Sequence, residues 1–333
     1  MLSLLEFVDV LKARSRIAHI VIRTPLVVSD YLSNHAGCEV LLKLETVQPT
    51  GAFKIRGAAN AISLLPPEQR KRGVVCCSTG NHGRAVAYAA KRFAIPATVC
   101  LSELVPPNKV NAIRSLGARV CRNGKSQDDA QKTVQTLVHR EGLVEIPPFD
   151  NEAVVAGQGT IALEILEDRP HVNTLIVPVS GGGLIGGIAL AAKTIKPGIC
   201  VIGVSMEKGA AMHESLCAGH PVEVAEVASL ADSLGGGIGL SNRITFELCR
   251  RFVNETILLS ESEIYSGIRT LFHEDRVVAE GGGAVGAAAL LAGKIHSAGP
   301  IAVIVSGQNT DMQQFMQIAN GEPVAVGDVK VKG

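Results

Sequence analysis

Lys54 sits in the stretch GAFKIRG at positions 51–57, between Phe53 and the glycines at 51 and 57. A neutral lysine amine attacks an aldehyde and takes a proton from carbon, and desolvation favours that neutral form. Two other stretches carry complementary groups. Ser78-Thr79-Gly80-Asn81-His82-Gly83 offers hydroxyls, backbone N–H groups and a carboxamide, which suit a carboxylate. Ser180-Gly181-Gly182-Gly183-Leu184 offers glycines that let successive N–H groups converge on an anion such as phosphate. Ser306, in Ser306-Gly307-Gln308-Asn309, adds one hydroxyl at the end of an apolar run. Taken singly, each has an ordinary reading: a solvated lysine, a helix N-cap, a packing turn, a strand-end turn. What raises them above that is their common position in the chain.

Each follows a short apolar run and opens or approaches a helical pattern. Val40–Leu44 precedes Lys54, and Val74–Cys77 precedes Ser78. Thr174–Val177 precedes Ser180, and Ile301–Val305 precedes Ser306. Further runs at Ala97–Leu101, Arg119–Cys121 and Val201–Val204 alternate with helical patterns near 110–116, 128–140, 151–166, 184–193, 210–218 and 312–318. Continuous apolar runs separated by helices predict an α/β fold with two open, mostly parallel twisted sheets and helices on both faces. In such sheets ligands bind beyond the carboxyl ends of the strands, where all four stretches lie. Ser3 with Glu6 fits a capping box opening a helix to about Ile17. Asp128-Asp129 and the acids at 261 and 263 read as solvated helix starts. Pro147-Pro148 is the clearest internal break, and the last helix is followed by what reads as a polar tail.

These motifs resemble the fold-type II pyridoxal-phosphate enzymes, the tryptophan synthase β-like group that includes serine/threonine dehydratases, serine racemases and cysteine synthases. GAFKIRG resembles the cofactor-lysine motif, STGNHG the substrate-carboxylate loop, SGGGL the phosphate loop and SGQN the motif whose serine meets the pyridine nitrogen. The match runs in order along nearly the whole chain. The STGNHGRA form and the later GGGIG are most similar to the threonine-dehydratase-like proteins of hydroxyectoine utilisation.

The resemblance implies pyridoxal 5'-phosphate as cofactor. It implies Lys54 as the Schiff-base lysine, with Phe53 beside the ring, Asn81 on the ring oxygen, Ser180, Gly181, Gly182, Gly183 and Leu184 on the phosphate, and Ser306 on the ring nitrogen. It places Ser78, Thr79, Gly80, Asn81 and His82 at the substrate, with no chemistry assigned to the His82 ring. Glu280 and Gly237 match positions near the cofactor. It divides the chain into a large cofactor domain from 1–52 and 149–324, a small domain at 53–148 and a tail at 325–333. A homodimer is also implied.

Composition narrows the rest. The 333 residues are 47% hydrophobic, enough for substantial cores. With 32 basic and 31 acidic residues, the net charge of +1 carries no nucleic-acid or membrane footprint. The eight cysteines form no CxxC pair, and most lie in apolar runs, which fits small buried hydrophobes in a reducing cytoplasm. The N-terminus has no secretory pattern, and no run is long enough to span a membrane.

A competing dinucleotide reading exists, because Gly181, Gly183 and Gly186 form GxGxxG with Glu207 some way on. The glycines at 281, 283 and 286 form the same pattern without a clear strand, so in a chain of 35 glycines it is weak. It also leaves GAFKIRG and STGNHG unexplained. The reading taken forward is a dehydratase or ammonia-lyase acting on a small β-hydroxy amino acid. A hydroxyl at the ring nitrogen makes a weaker electron sink than a carboxylate would, which favours β-elimination. A β-replacement transferase, a racemase and a non-catalytic ligand sensor are the alternatives. Related racemases use a serine where Thr79 stands. The positions matching the family's cation-binding acids are Ser205 and Ala211, so no divalent metal is expected there, although Glu207 is close.

Overall fold

A computed structural model describes residues 5–78, 80–105 and 107–333. Among the described residues twelve strands form two sheets and a hairpin. The larger sheet contains β1 (Leu26–Val28), β2 (Val40–Leu44), β7 (Thr174–Pro178), β8 (Cys200–Met206), β9 (Glu255–Leu259) and β10 (Ile301–Val305). Its order is β1-β2-β10-β7-β8-β9. Every neighbour pair is parallel except β1 with β2. The smaller sheet is fully parallel. It contains β3 (Val74–Cys77), β4 (Ala97–Leu101), β5 (Arg119–Arg122) and β6 (Val144–Glu145), in the order β5-β4-β3-β6.

The central strands are largely apolar because both faces are covered. In β10, Ala302 and Ile304 enter one core with the helices Glu152–Asp168 and Gly183–Ile195. Ile301, Val303 and Val305 enter the opposite core with the helices Glu261–His273 and Gly281–Leu291. This is the two-residue period of a strand whose alternate side chains are both buried. The smaller sheet does the same. Val74, Cys76, Val99 and Leu101 face the helices Lys54–Ser63 and Asn81–Arg92, while Val75, Cys77 and Cys100 face Gln127–Glu141. The helix Lys54–Ser63 packs on both Asn81–Arg92 and Glu152–Asp168, so it bridges the two sheets.

Several expectations change in detail. The first helix begins at Phe7, with Glu6 as its N-cap and Asp9 completing the capping box. Ser3 lies outside the described residues. The edge strands β1 and β9 and the two-residue β6 were not expected. Residues 325–333, expected as a polar tail, belong largely to a hairpin of β11 (Val324–Val326) and β12 (Val329–Val331). Its Val324, Val326 and Val331 alternate inward onto the Tyr265 core, and Gly327 at φ 56° makes the turn. Cys76, Cys77, Cys100 and Cys249 are buried as expected, but Cys217 is exposed. No helix among the described residues is long and apolar enough to cross a membrane.

Candidate active site

In the larger sheet β10 lies between β2 and β7. The segments leaving these three parallel strands carry Lys54, Ser306 and Ser180. Their proximity is therefore a consequence of strand order. The Lys54 segment is fastened to the Ser306 segment by an antiparallel bridge between Ala52 and Gly307. Phe53 N donates to Ser306 O at 3.0 Å, and Gln308 N donates to Gly51 O at 2.9 Å. Ser306 itself is buried, its hydroxyl 3.4 Å from Gly282 O.

Lys54 is the first residue of its helix and half-buried. Its Nζ donates to Pro148 O at 2.9 Å and lies 5.3 Å from the Phe53 ring centroid. Burial lowers its pKa to about 8, with Glu280 opposing in part. The amine is thus held where a modest loss of charge makes it a nucleophile and a base.

Ser180-Gly181-Gly182-Gly183-Leu184 turns from β7 into the helix Gly183–Ile195. Gly182 is the N-cap at φ 83°. A Cβ on Gly181 would stand 2.3 Å from Phe149 Cδ1, and one on Gly182 would stand 2.6 Å from Met212 Cε. The loop has room for backbone alone, and the first N–H groups of the helix have no intrahelical acceptor. That is the donor set a phosphate requires. The Pro147-Pro148 break thus has a second role that sequence reasoning missed: Pro148 receives the Lys54 amine, and Phe149 packs against the phosphate-type loop. Asp150 then takes hydrogen bonds from the N–H groups of Arg243, Ile244 and Thr245, at 3.2, 2.9 and 3.0 Å.

The third loop leaves β3. Asn81, the first residue of the helix Asn81–Arg92, donates through Nδ2 to Glu280 Oε1 at 2.7 Å. Its Oδ1 accepts from Asn309 Nδ2, also at 2.7 Å. The Asn309 oxygen accepts from Arg84 Nη1 at 2.9 Å. Glu280 is 5% exposed, and burial, assisted by Asp232, raises its pKa to about 7. His82 Nε2 pairs with Ile146 O at 2.7 Å, while its buried Nδ1 has no partner among the described residues. Burial, and then the charge of Lys54, push this imidazole down to about 3, so it is neutral. Ser78 is half-buried and Gly80 exposed. Thr79 lies outside the described residues. Gly237 is exposed; Gly235, two residues earlier, lines the same cavity as Glu280.

A second feature went unread in the sequence. Beneath Lys54, Arg56 is fully buried between Glu45 and Glu164. Lys43 Nζ pairs with Glu164 at 2.6 Å. Two cations and two carboxylates therefore form one neutral cluster joining β2, the segment after it and two helices. Burial opposes the charge on Arg56, but Glu45 and Glu164 more than restore it.

A lysine amine made available, a glycine loop with the donors a phosphate requires and a carboxamide–carboxyl pair at the ends of parallel strands suit an enzyme that works through a phosphorylated aldehyde cofactor. Comparison with known proteins gives the particular family. Residues 17–307 match the family model "Pyridoxal-phosphate dependent enzyme". The "Putative threonine dehydratase" of Sinorhizobium fredii is 52% identical, covering 96% of this chain and 97% of its own. The "L-threonine ammonia-lyase" of Thermotoga maritima is 42% identical, covering 94% of this chain and 77% of its own. Among solved structures, maize serine racemase superposes with a TM-score of 0.89 at 34% identity, covering 94% of this chain and 96% of its own. The chain belongs to the pyridoxal-phosphate dependent enzymes, and its fold is that of the fold-type II group.

Proposed function

We propose that the chain is an ammonia-lyase that removes water from a small β-hydroxy amino acid and yields a 2-oxo acid and ammonia. The observation that carries this is Lys54, an amine brought down to about 8 and hydrogen-bonded to a carbonyl instead of a carboxylate. The names of the two relatives, a threonine dehydratase and a threonine ammonia-lyase, support the reaction class.

In this reading Ser180–Leu184 hold the cofactor phosphate, Phe53 flanks the ring, Asn81 bonds the ring oxygen and Ser306 the ring nitrogen. Glu280 supports Asn81 from behind. The loop of Ser78, Thr79, Gly80, Asn81 and His82 receives the substrate carboxylate. Pyridoxal phosphate supplies the electron sink for charge developing at the substrate α-carbon. Lys54 Nζ, in its neutral form, takes the α-proton. The bond to the β-hydroxyl breaks, and the hydroxyl leaves as water once protonated. Hydrolysis of the released enamine in solution returns one water and frees ammonia. Ser306 can donate to a ring nitrogen but does not hold a proton there as a carboxylate would, which favours fast elimination over reactions that need a long-lived carbanion.

The likeness to a serine racemase favours racemisation as the second reading. One experiment separates the two. Serine, threonine, 3-hydroxyaspartate and a hydroxyectoine-derived amino acid are each incubated with the holoenzyme. The 2-oxo acid, ammonia and chirality of remaining substrate are measured together. Ammonia release well ahead of racemisation is expected; racemisation that matches or outruns it overturns the lyase assignment. A product that forms only with added sulfide would instead mark a β-replacement enzyme. The reading includes a cytoplasmic homodimer, which light scattering of the purified enzyme tests for its oligomeric part.

A further inference from the structure

A cavity of about 690 Å³ opens beside the Asn81–Glu280 bond. Glu280 and Asn309 line it, together with Arg84, Glu226, Asp232 and Asp311. Lys54, Ser180 and Ser306 do not line it, and Glu280 and Asn309 form the wall it shares with the site around Asn81. Its wall carries charged groups of both signs that have no counter-ion among the described residues. Arg84 is half-buried and gives one hydrogen bond, to Asn309. Among the described residues no carboxylate pairs with it, which leaves most of the five guanidinium donors for a ligand. Glu226, Asp232 and Asp311 are exposed, and no described cation pairs with any of them.

This arrangement selects a charge type. A simple anion drawn to Arg84 meets three exposed carboxylates and the Glu280 carboxyl on the same wall. A simple cation leaves the guanidinium unpaired and repelled. A zwitterion satisfies both, with its carboxylate on Arg84 in a two-point contact and its ammonium on the acids. The volume falls in the range of small-molecule sites and accommodates an amino acid with a sizeable side chain. Arg84 is also the first member of a hydrogen-bonded chain that runs through Asn309 and Asn81 to Glu280. A carboxylate that engages Arg84 competes with the Asn309 oxygen and so disturbs the two carboxamides.

We propose that this cavity is a second, non-catalytic site for a zwitterionic α-amino acid, coupled through Arg84, Asn309 and Asn81 to the cofactor site. The coupling rests on the proposed contact of Asn81 with the cofactor; the binding does not.

The test uses holoenzyme reduced with borohydride, which fixes the Lys54–cofactor link as a secondary amine and stops substrate exchange there. Calorimetry compares 1-aminocyclopentane-1-carboxylate with its two halves, cyclopentanecarboxylate and cyclopentylamine. The zwitterion should bind at least about tenfold more tightly than either half, and Arg84→Gln should weaken it by about tenfold or more. The double variant Asp232→Asn, Asp311→Asn should do the same. Asn at 311 keeps an oxygen for the N–H groups of Gln313 and Gln314 that Asp311 now caps, so this variant carries the test if Arg84→Gln fails to fold. No binding by the wild type, equal binding by a half-molecule, or unchanged binding in the variants overturns the site. Saturation should also change the fluorescence of the reduced cofactor, and no change overturns the coupling. A chain that purifies colourless fails the cofactor reading; a coloured chain that ignores the probe fails this proposal alone.

Discussion

Asn81 and Glu280 stand 199 positions apart in the chain and share one hydrogen bond of 2.7 Å. It links the first residue of a helix on the smaller sheet to the N-cap of a helix on the larger one. Because Glu280 is raised to about 7 from an ordinary 4.5, the bond sits at a titrating carboxyl. Between those two values the unfolded chain has lost a proton that the folded chain retains. Stability contributed by this group is therefore present below about 4.5 and lost as pH rises through 7. Glu280→Gln keeps an oxygen for Asn81 and removes the titration. Relative to wild type, the variant should gain stability between pH 4.5 and 7.5, by up to about 3 kcal/mol. Denaturant melts of the apoprotein at several pH values measure it, and parallel curves would remove Glu280 as the titrating group.

Lys54→Ala should abolish the cofactor chromophore and lower kcat/KM by at least about a thousandfold. The fold should survive, since the variant deletes a half-buried amine whose one hydrogen bond among the described residues is to Pro148 O. Absorbance spectra and turnover of the purified variant decide this, and a yellow, active variant would move the chemistry to another residue.

The candidate site was legible where its signal was local. Each motif is a strand-to-helix junction, and a strand such as Ile301–Val305 declares itself by five apolar residues in a row. The edge strands were harder. Glu255–Leu259 has only its last residue fully buried, so its sequence carries two polar residues and resembles a loop. Val324–Val331 is short and alternates, so it reads as a tail until its partner strand is seen. Pro148 and Phe149 show in the sequence only as a break. The Arg56 cluster was illegible for a different reason: its members pair across 11, 108 and 121 positions, and no local pattern records that.

That cluster carries its own prediction. A buried ion pair stripped of one partner leaves an uncompensated charge, which costs about 3–5 kcal/mol. Arg56→Met strips both Glu45 and Glu164 of their main counter-ion, although Lys43 remains near Glu164. The variant should melt well below wild type and hold its cofactor poorly, because Arg56 is two residues from Lys54 in the first turn of the same helix. Combining it with Glu45→Gln should recover part of the loss. No recovery would mean that packing of the Arg56 stem, and not charge balance, sets the cost.

Divalent metal should be dispensable. Ser205 is buried at the end of β8 and Ala211 opens the next helix, and neither offers a carboxylate. Hard divalent cations need several oxygen ligands, usually charged. Activity with added Mg²⁺ or Ca²⁺, and after chelation, should stay within about twofold of the untreated enzyme. Strong activation that a chelator reverses would point to Glu207, an exposed acid directly after β8.

Gly181→Ala tests the phosphate loop without touching a charged group. The new Cβ would approach Phe149 Cδ1 to 2.3 Å, closer than any real contact, so either the ring or the loop must shift. Phe149 follows Pro148, whose carbonyl holds the Lys54 amine. If the ring yields, the disturbance reaches Lys54; if the loop yields, the converging N–H groups are lost. Both routes weaken the cofactor, so its dissociation constant should rise at least about tenfold, or ~1.4 kcal/mol. The two routes part on a second measurement. A displaced loop lowers affinity for the cofactor and for inorganic phosphate alike. A displaced ring leaves phosphate binding intact and alters the absorbance of the holoenzyme. Unchanged affinity for both ligands would remove Ser180–Leu184 from the cofactor site.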